Sequence, residues 1–108
     1  MKYKVNISGK EYIVEPIIKD KTIYYVEQDD LKTVMLIDLE NKILKRDNDE
    51  LYLILDFKND VGALEVKKLN SKTDLKIETE KFEHKENILE INYKMDDKKF
   101  NFKMEKVI

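Results

Sequence analysis

Leu75-Lys-Ile-Glu-Thr-Glu80, Leu89-Glu-Ile-Asn-Tyr-Lys-Met95 and Phe100-Asn-Phe-Lys-Met-Glu105 follow one rhythm, in which apolar or aromatic side chains, with Thr79 the one exception, alternate with charged or amide ones. On an extended backbone this period of two sends one set of side chains to a core and the other to water. The last third of the chain therefore reads as three consecutive antiparallel strands. Working back, Ala63-Leu-Glu-Val-Lys67 alternates briefly between the turn clusters Lys58 to Gly62 and Asn70 to Thr73. Leu51-Tyr-Leu-Ile-Leu-Asp-Phe57 is the most apolar run; Asp47-Asn-Asp49 precedes it, and it is shorter than an ordinary helix. It reads as a buried strand, with a helix as the alternative.

The N-terminal half continues the pattern. Tyr3, Val5 and Ile7 alternate with Lys2, Lys4 and Asn6, and Ser8-Gly9-Lys10 supplies a tight turn into Glu11 to Ile18. Pro16 lacks an N–H and predicts an edge or a bend in that second run. Thr22 to Glu27, Thr33 to Asp38 and Ile43 to Arg46 follow as strands separated by short polar turns. The total is about eight or nine strands without an amphipathic helix, which predicts an all-β fold. A small antiparallel closed barrel of about eight strands is favoured over a β-sandwich, because closure removes exposed sheet edges. The 108 residues suit one domain, residues 1–108.

The C-terminal motifs Leu75-Lys-Ile-Glu-Thr79, Leu89-Glu-Ile-Asn-Tyr-Lys-Met95 and Asn101-Phe-Lys-Met104, with Tyr24-Tyr25 and with Arg46 ahead of the run ending in Phe57, resemble the YwiB-like family of small bacterial proteins. The resemblance implies a calycin-like β-barrel of unknown function and carries over no catalytic or ligand-binding residue. In such a barrel the inward candidates are Tyr3, Val5, Ile7, Leu53, Leu55, Phe57, Leu75, Ile77, Leu89, Ile91, Tyr93, Phe100, Phe102 and Met104. An eight-stranded interior is filled by such side chains or holds one small ligand. Tyr25, Leu55, Phe57, Tyr93 and Phe102 are the barrel-lining candidates for contact with a ligand.

Composition narrows the chemistry. The charge is -2 with both signs mixed along the chain, so the basic stripe expected of a nucleic-acid binder is missing. There is no cysteine for a disulfide, a thiolate metal site or a thiol nucleophile. The alternating N-terminus is unlike a signal peptide and no apolar run approaches a membrane span, so the expectation is a soluble cytoplasmic protein without membrane or nucleic-acid partners. Two glycines cannot build a phosphate cradle. Asp29-Asp30, Asp47-Asn-Asp49 and Asp96-Asp97 read as solvated turns; counted from Asp47, the sixth and twelfth positions are Tyr52 and Lys58, which rules out an EF-hand loop. No cofactor or metal is expected.

His84, in Phe82-Glu-His-Lys-Glu86, reads as a solvated turn residue between two strands. The preferred function is a non-enzymatic binding or interaction module for a small apolar ligand or a protein. The alternatives are a phage or mobile-element effector that blocks a host protein, and a hydrolase or isomerase working through His84 and a carboxylate.

Overall fold

The computed structural model describes residues 1–107 and consists of antiparallel strands plus one 3-10 turn at Lys67–Leu69. The strands are β1 (Tyr3–Ile7), β2 (Lys10–Val14), β3 (Ile17–Lys19), β4 (Thr22–Val26), β5 (Val34–Asp38), β6 (Ile43–Asp47), β7 (Leu51–Asp56), β8 (Val61–Val66), β9 (Ser71–Lys76), β10 (Glu78–Lys85), β11 (Ile88–Met95) and β12 (Lys98–Lys106). They form a five-stranded sheet of order β10-β11-β12-β1-β2 and a seven-stranded sheet in which β3 to β9 follow in sequence order. The all-β expectation holds. Neither sheet closes on itself, so a two-sheet, sandwich-like description fits the pairing as well as a closed barrel does.

The strand count of eight or nine needs correction, because the described residues contain twelve strands. Two long runs break where the chain passes from one sheet to the other. Pro16 has no N–H to give a ladder, and the run from Lys10 to Lys19 divides there into β2 and β3. The second break falls at Ile77, held by the turn at Asp60. The Ile77 N–H donates to the Asp60 carbonyl at 3.1 Å, and the Thr79 hydroxyl donates to Asp60 Oδ1 at 2.6 Å. The expected turns at residues 58–62 and 70–73 are shorter than read, since β8 starts at Val61 and β9 at Ser71.

Few glycines are needed because polar residues close the hairpins in the left-handed region. Ser8 and Gly9 (φ 49° and 96°), and Asp96 and Asp97 (φ 52° and 62°), form two-residue turns of the kind whose twist suits antiparallel strands. Asp38-Leu-Glu-Asn41 and Asp56-Phe-Lys-Asn59 use one local device twice. In each, an aspartate oxygen accepts two backbone N–H bonds within the turn, and the asparagine amide donates to the other oxygen at 2.8 Å. These bonds hold the Asp38 and Asp56 carboxyls below the usual carboxylate range.

Both sheets contribute to one core. Val5, Leu89, Ile91, Phe102 and Met104 of the five-stranded sheet join Ile23, Tyr25, Met35, Ile37, Leu44 and Leu55 of the seven-stranded one, with Phe57 and Ile77 at the connections. The inward candidates read from sequence belong to this cluster or pack against it, apart from Phe100, which stacks on Tyr93 at 5.3 Å between ring centres. The inward rows follow from register. Tyr25, Met35, Arg46, Leu53 and Leu64 lie across β4 to β8 as one row, and Ile23, Ile37, Leu44, Leu55 and Gly62 as the next. No helix is long and apolar enough to cross a membrane among the described residues.

Candidate functional site

Two-residue alternation places unusual side chains on the inner face at one end of the molecule. After Ile23 and Tyr25 the next inward position is Glu27, and after Leu44 it is Arg46. From the other sheet, Tyr12 occupies the inward phase that ends in Val14. β2 is the last strand of its sheet and has no ladder to β4, so side chains alone join the two sheets along this seam.

The contacts are specific. The Tyr12 hydroxyl donates to Glu27 Oε1 at 3.0 Å and lies 3.3 Å from the Tyr25 hydroxyl. Arg46 donates to Glu27 Oε2 twice, from Nε at 3.1 Å and from Nη2 at 2.8 Å. The Glu27 side chain is 9% exposed and that of Arg46 40%, so the ion pair is buried on the acid's side and open on the base's. Burial pushes the Tyr25 phenol far above its ordinary range, and the adjacent Tyr12 and Glu27 push it the same way. Burial likewise raises Tyr12, with the hydrogen bond from Tyr25 opposing it. Both phenols stay protonated at neutral pH and act as hydrogen-bond groups.

Beside this network lies a hollow of about 340 Å³, lined by Ile7, Lys10, Tyr12, Glu27, Gln28 and Arg46, with Asp29 at its edge. Its loop side is fixed by Thr33, whose N–H and hydroxyl donate to the two oxygens of Asp29 at 2.9 and 2.6 Å. Asn48 donates to the same hydroxyl at 3.0 Å, and the Glu27 N–H reaches the Thr33 carbonyl at 2.8 Å. The Asp29 carboxyl is held below its usual range by the bonds from Thr33. A larger hollow of about 520 Å³, lined in part by Lys81, Asn92, Phe100 and Asn101, carries no buried charge. Of its two lysines, Lys81 is already engaged by Glu90 at 2.8 Å, and Lys99 is exposed.

The five lining candidates occupy the interior differently. Leu55, Phe57 and Phe102 are buried in the core, and the Phe57 ring centre lies 5.4 Å from Tyr93 and 5.7 Å from Phe82. These rings pack on one another. Tyr25 reaches the hollow's polar network through its hydroxyl, while half-buried Tyr93 has its phenol raised by burial against the opposing charge of Arg46. Lys10, Tyr12 and Glu27 are not among the site candidates expected from sequence, and Arg46 enters there only as the end of a strand and in the family resemblance. The available signal was phase: Glu27 and Arg46 stand two residues beyond inward apolar positions.

His84 needs a correction of place. It lies inside β10 opposite Leu89, not in a loop. Its side chain is exposed and borders a different hollow of about 180 Å³, shared with Asp20 and Glu86. Within the sheet His84, Leu89, Met104, Val5 and Tyr12 form one row, which sets His84 about 19 Å from Tyr12 at four inter-strand spacings. Asp96-Asp97 forms a hairpin turn, Asp47 pairs with Lys67 at 2.7 Å, and Asp29 is bound to Thr33. Among the described residues no three His, Cys, Asp or Glu side chains are grouped to hold a metal ion.

No family model, curated protein or solved structure matches this chain.

Proposed function

We propose that this protein is a non-enzymatic binding module, a flattened calycin-like barrel whose mouth between β2 and β4 takes a small ligand with an apolar body. Support for the barrel comes from connectivity. β1 pairs with β12, so the ends of the meander meet, and the chain passes from one sheet to the other at short corners, at Pro16 and Ile77. In that description every strand follows its neighbour around one interior, as in the calycin-like barrel implied by the resemblance to YwiB-like proteins. The core side chains fill the middle of that interior and leave the mouth for a ligand.

One observation carries the binding reading: a part-buried, hydrogen-bonded charge network on inward positions beside a hollow of about 340 Å³. Stability alone does not call for such a network, since well-packed apolar residues in place of a buried ion pair are often equally or more stable. A concave site with a few converging polar groups is the usual form of a small-molecule site. Catalysis is disfavoured because the two phenols are held protonated and the single histidine stands on the far edge strand.

Titration of the isotope-labelled protein with a library of small apolar-bodied compounds, followed by amide NMR, tests this. Saturable shifts should group at Ile7, Lys10, Tyr12, Gln28 and Arg46. Shifts confined to other surfaces, or none across the library, would refute the site.

A further inference from the structure

Donors and acceptors around the mouth are unevenly used, and the imbalance names the ligand's head group; this step rests on the binding-module reading above. Lys10 and Arg46 face Glu27 and Asp29, so the formal charges of the lining cancel. Every oxygen of the two acids, however, already accepts a bond. Glu27 accepts from Tyr12 on Oε1 and from Arg46 on Oε2, and Asp29 accepts from Thr33 on both oxygens. The bases are not fully engaged. Arg46 directs Nε and Nη2 to a single oxygen, and Nη1 makes no hydrogen bond among the described residues. Lys10 forms no ion pair among them.

A guanidinium held along its Nε side keeps its terminal edge, Nη1 with the second hydrogen of Nη2, as two parallel donors matched to a planar two-oxygen acceptor. Glu27 fixes the orientation of that edge, so little side-chain freedom is lost when a ligand arrives. We infer that the mouth binds a compact organic acid, with its carboxylate on the terminal edge of Arg46 and near Lys10, and its short apolar body against Ile7 and Tyr12. The size follows from the hollow, which is near the lower end of ligand cavities, and from the filled core behind it. A long acyl chain would have nowhere to go. A cationic ligand would meet the ammonium of Lys10 and the open edge of Arg46, and would have to share carboxylate oxygens that already accept bonds.

The test uses the full chain, isotope-labelled, titrated with benzoate, phenylacetate, their neutral carboxamides and inorganic phosphate. Both acids should shift the amides of Lys10, Tyr12, Gln28 and Arg46 to saturation, and the carboxamides should bind roughly tenfold more weakly or less. Arg46→Lys keeps a cation beside Glu27 and removes the planar edge, so it should weaken the acids by roughly tenfold while the folded spectrum persists. Lys10→Ala, at an exposed side chain, gives an independent loss of several-fold and serves if the Arg46 variant unfolds. Equal binding of acids and carboxamides would overturn the head-group inference and leave the binding module standing. Phosphate saturating the same amides while the acids do not would also overturn it. Silence of the mouth toward every probe would overturn both.

Discussion

Replacing Arg46 with Met keeps most of the stem and removes the guanidinium from Glu27. The variant leaves a carboxylate that is 9% exposed with two charge-assisted bonds fewer, of 3.1 and 2.8 Å. Removing one partner of a fully buried pair costs about 3–5 kcal/mol, while exposed pairs contribute about 0–1 kcal/mol. Because Arg46 itself is partly solvated, the expected loss lies between these, about 2–3 kcal/mol, and for a chain of this length it lowers the thermal midpoint by roughly 10 °C. Glu27→Gln combined with Arg46→Met takes the stranded charge away while the amide oxygen still accepts from Tyr12. The double variant should recover to within about 1 kcal/mol of wild type, a non-additivity that the four-corner cycle reads directly. Urea unfolding at pH 7 measures it, with unchanged m-values as the check that the denatured state is the same. A loss below about 0.5 kcal/mol in Arg46→Met, or strictly additive variants, would show that Glu27 and Arg46 are not energetically coupled.

Further outcomes follow from single positions. Gly62→Ala should destabilise by about 1–3 kcal/mol in the same assay, since the new Cβ would stand 2.7 Å from the Ile54 carbonyl oxygen and 3.0 Å from a Leu55 methyl, and the oxygen is backbone that cannot swing aside. Ultraviolet titration of the six tyrosines should show Tyr12, Tyr25 and Tyr93 ionising late. Their folded-state values are raised above the unfolded phenol's, so the stability they confer is complete below about pH 10 and is lost above it, and their phenolate signal should appear together with loss of native structure. Ionisation of all six in a folded protein near pH 10 would contradict the burial. Thr33→Val removes the hydroxyl bond to Asp29 and the acceptor for Asn48. Asp29's folded value is depressed, so its contribution is present above the unfolded carboxylate's pKa and lost as pH falls through the folded one. The gap between wild type and Thr33→Val should therefore narrow below about pH 4, and a gap independent of pH would mean that Thr33 does not act through Asp29.

The period of two made the strand character legible because it records which side of each strand is wet. β11 alternates from Leu89 to Met95 and β12 from Phe100 to Glu105, and their predicted faces agree with Leu89, Ile91, Phe102 and Met104 in the core. Strand ends were harder to read because turn-forming residues also sit inside edge strands. Ser71, Lys72 and Thr73 look like loop and yet pair with Val66, Glu65 and Leu64, since an exposed edge tolerates polar side chains on both faces. His84 was misplaced for the same reason. Its neighbours Glu83 and Lys85 are polar, but the ladder of β10 to Leu89 and Ile88 extends past them.

The candidate site was less legible because composition alone makes Glu27 and Arg46 look like any of the many charged residues on solvated faces. Their distinction is positional. Continuing β4 by one step in phase from Tyr25 and β6 by one step from Leu44 turns both side chains inward, and Tyr12 arrives from the opposite sheet only because Pro16 ends β2's run before it joins β4. The first fact is available from alternation and the second requires the corner. Where an inward phase stays in or against the core to the strand's end, as in β11 from Leu89 to Met95, the interior closes on itself. Where it ends in a charge that finds its partner across two sheets, the fold keeps a polar mouth.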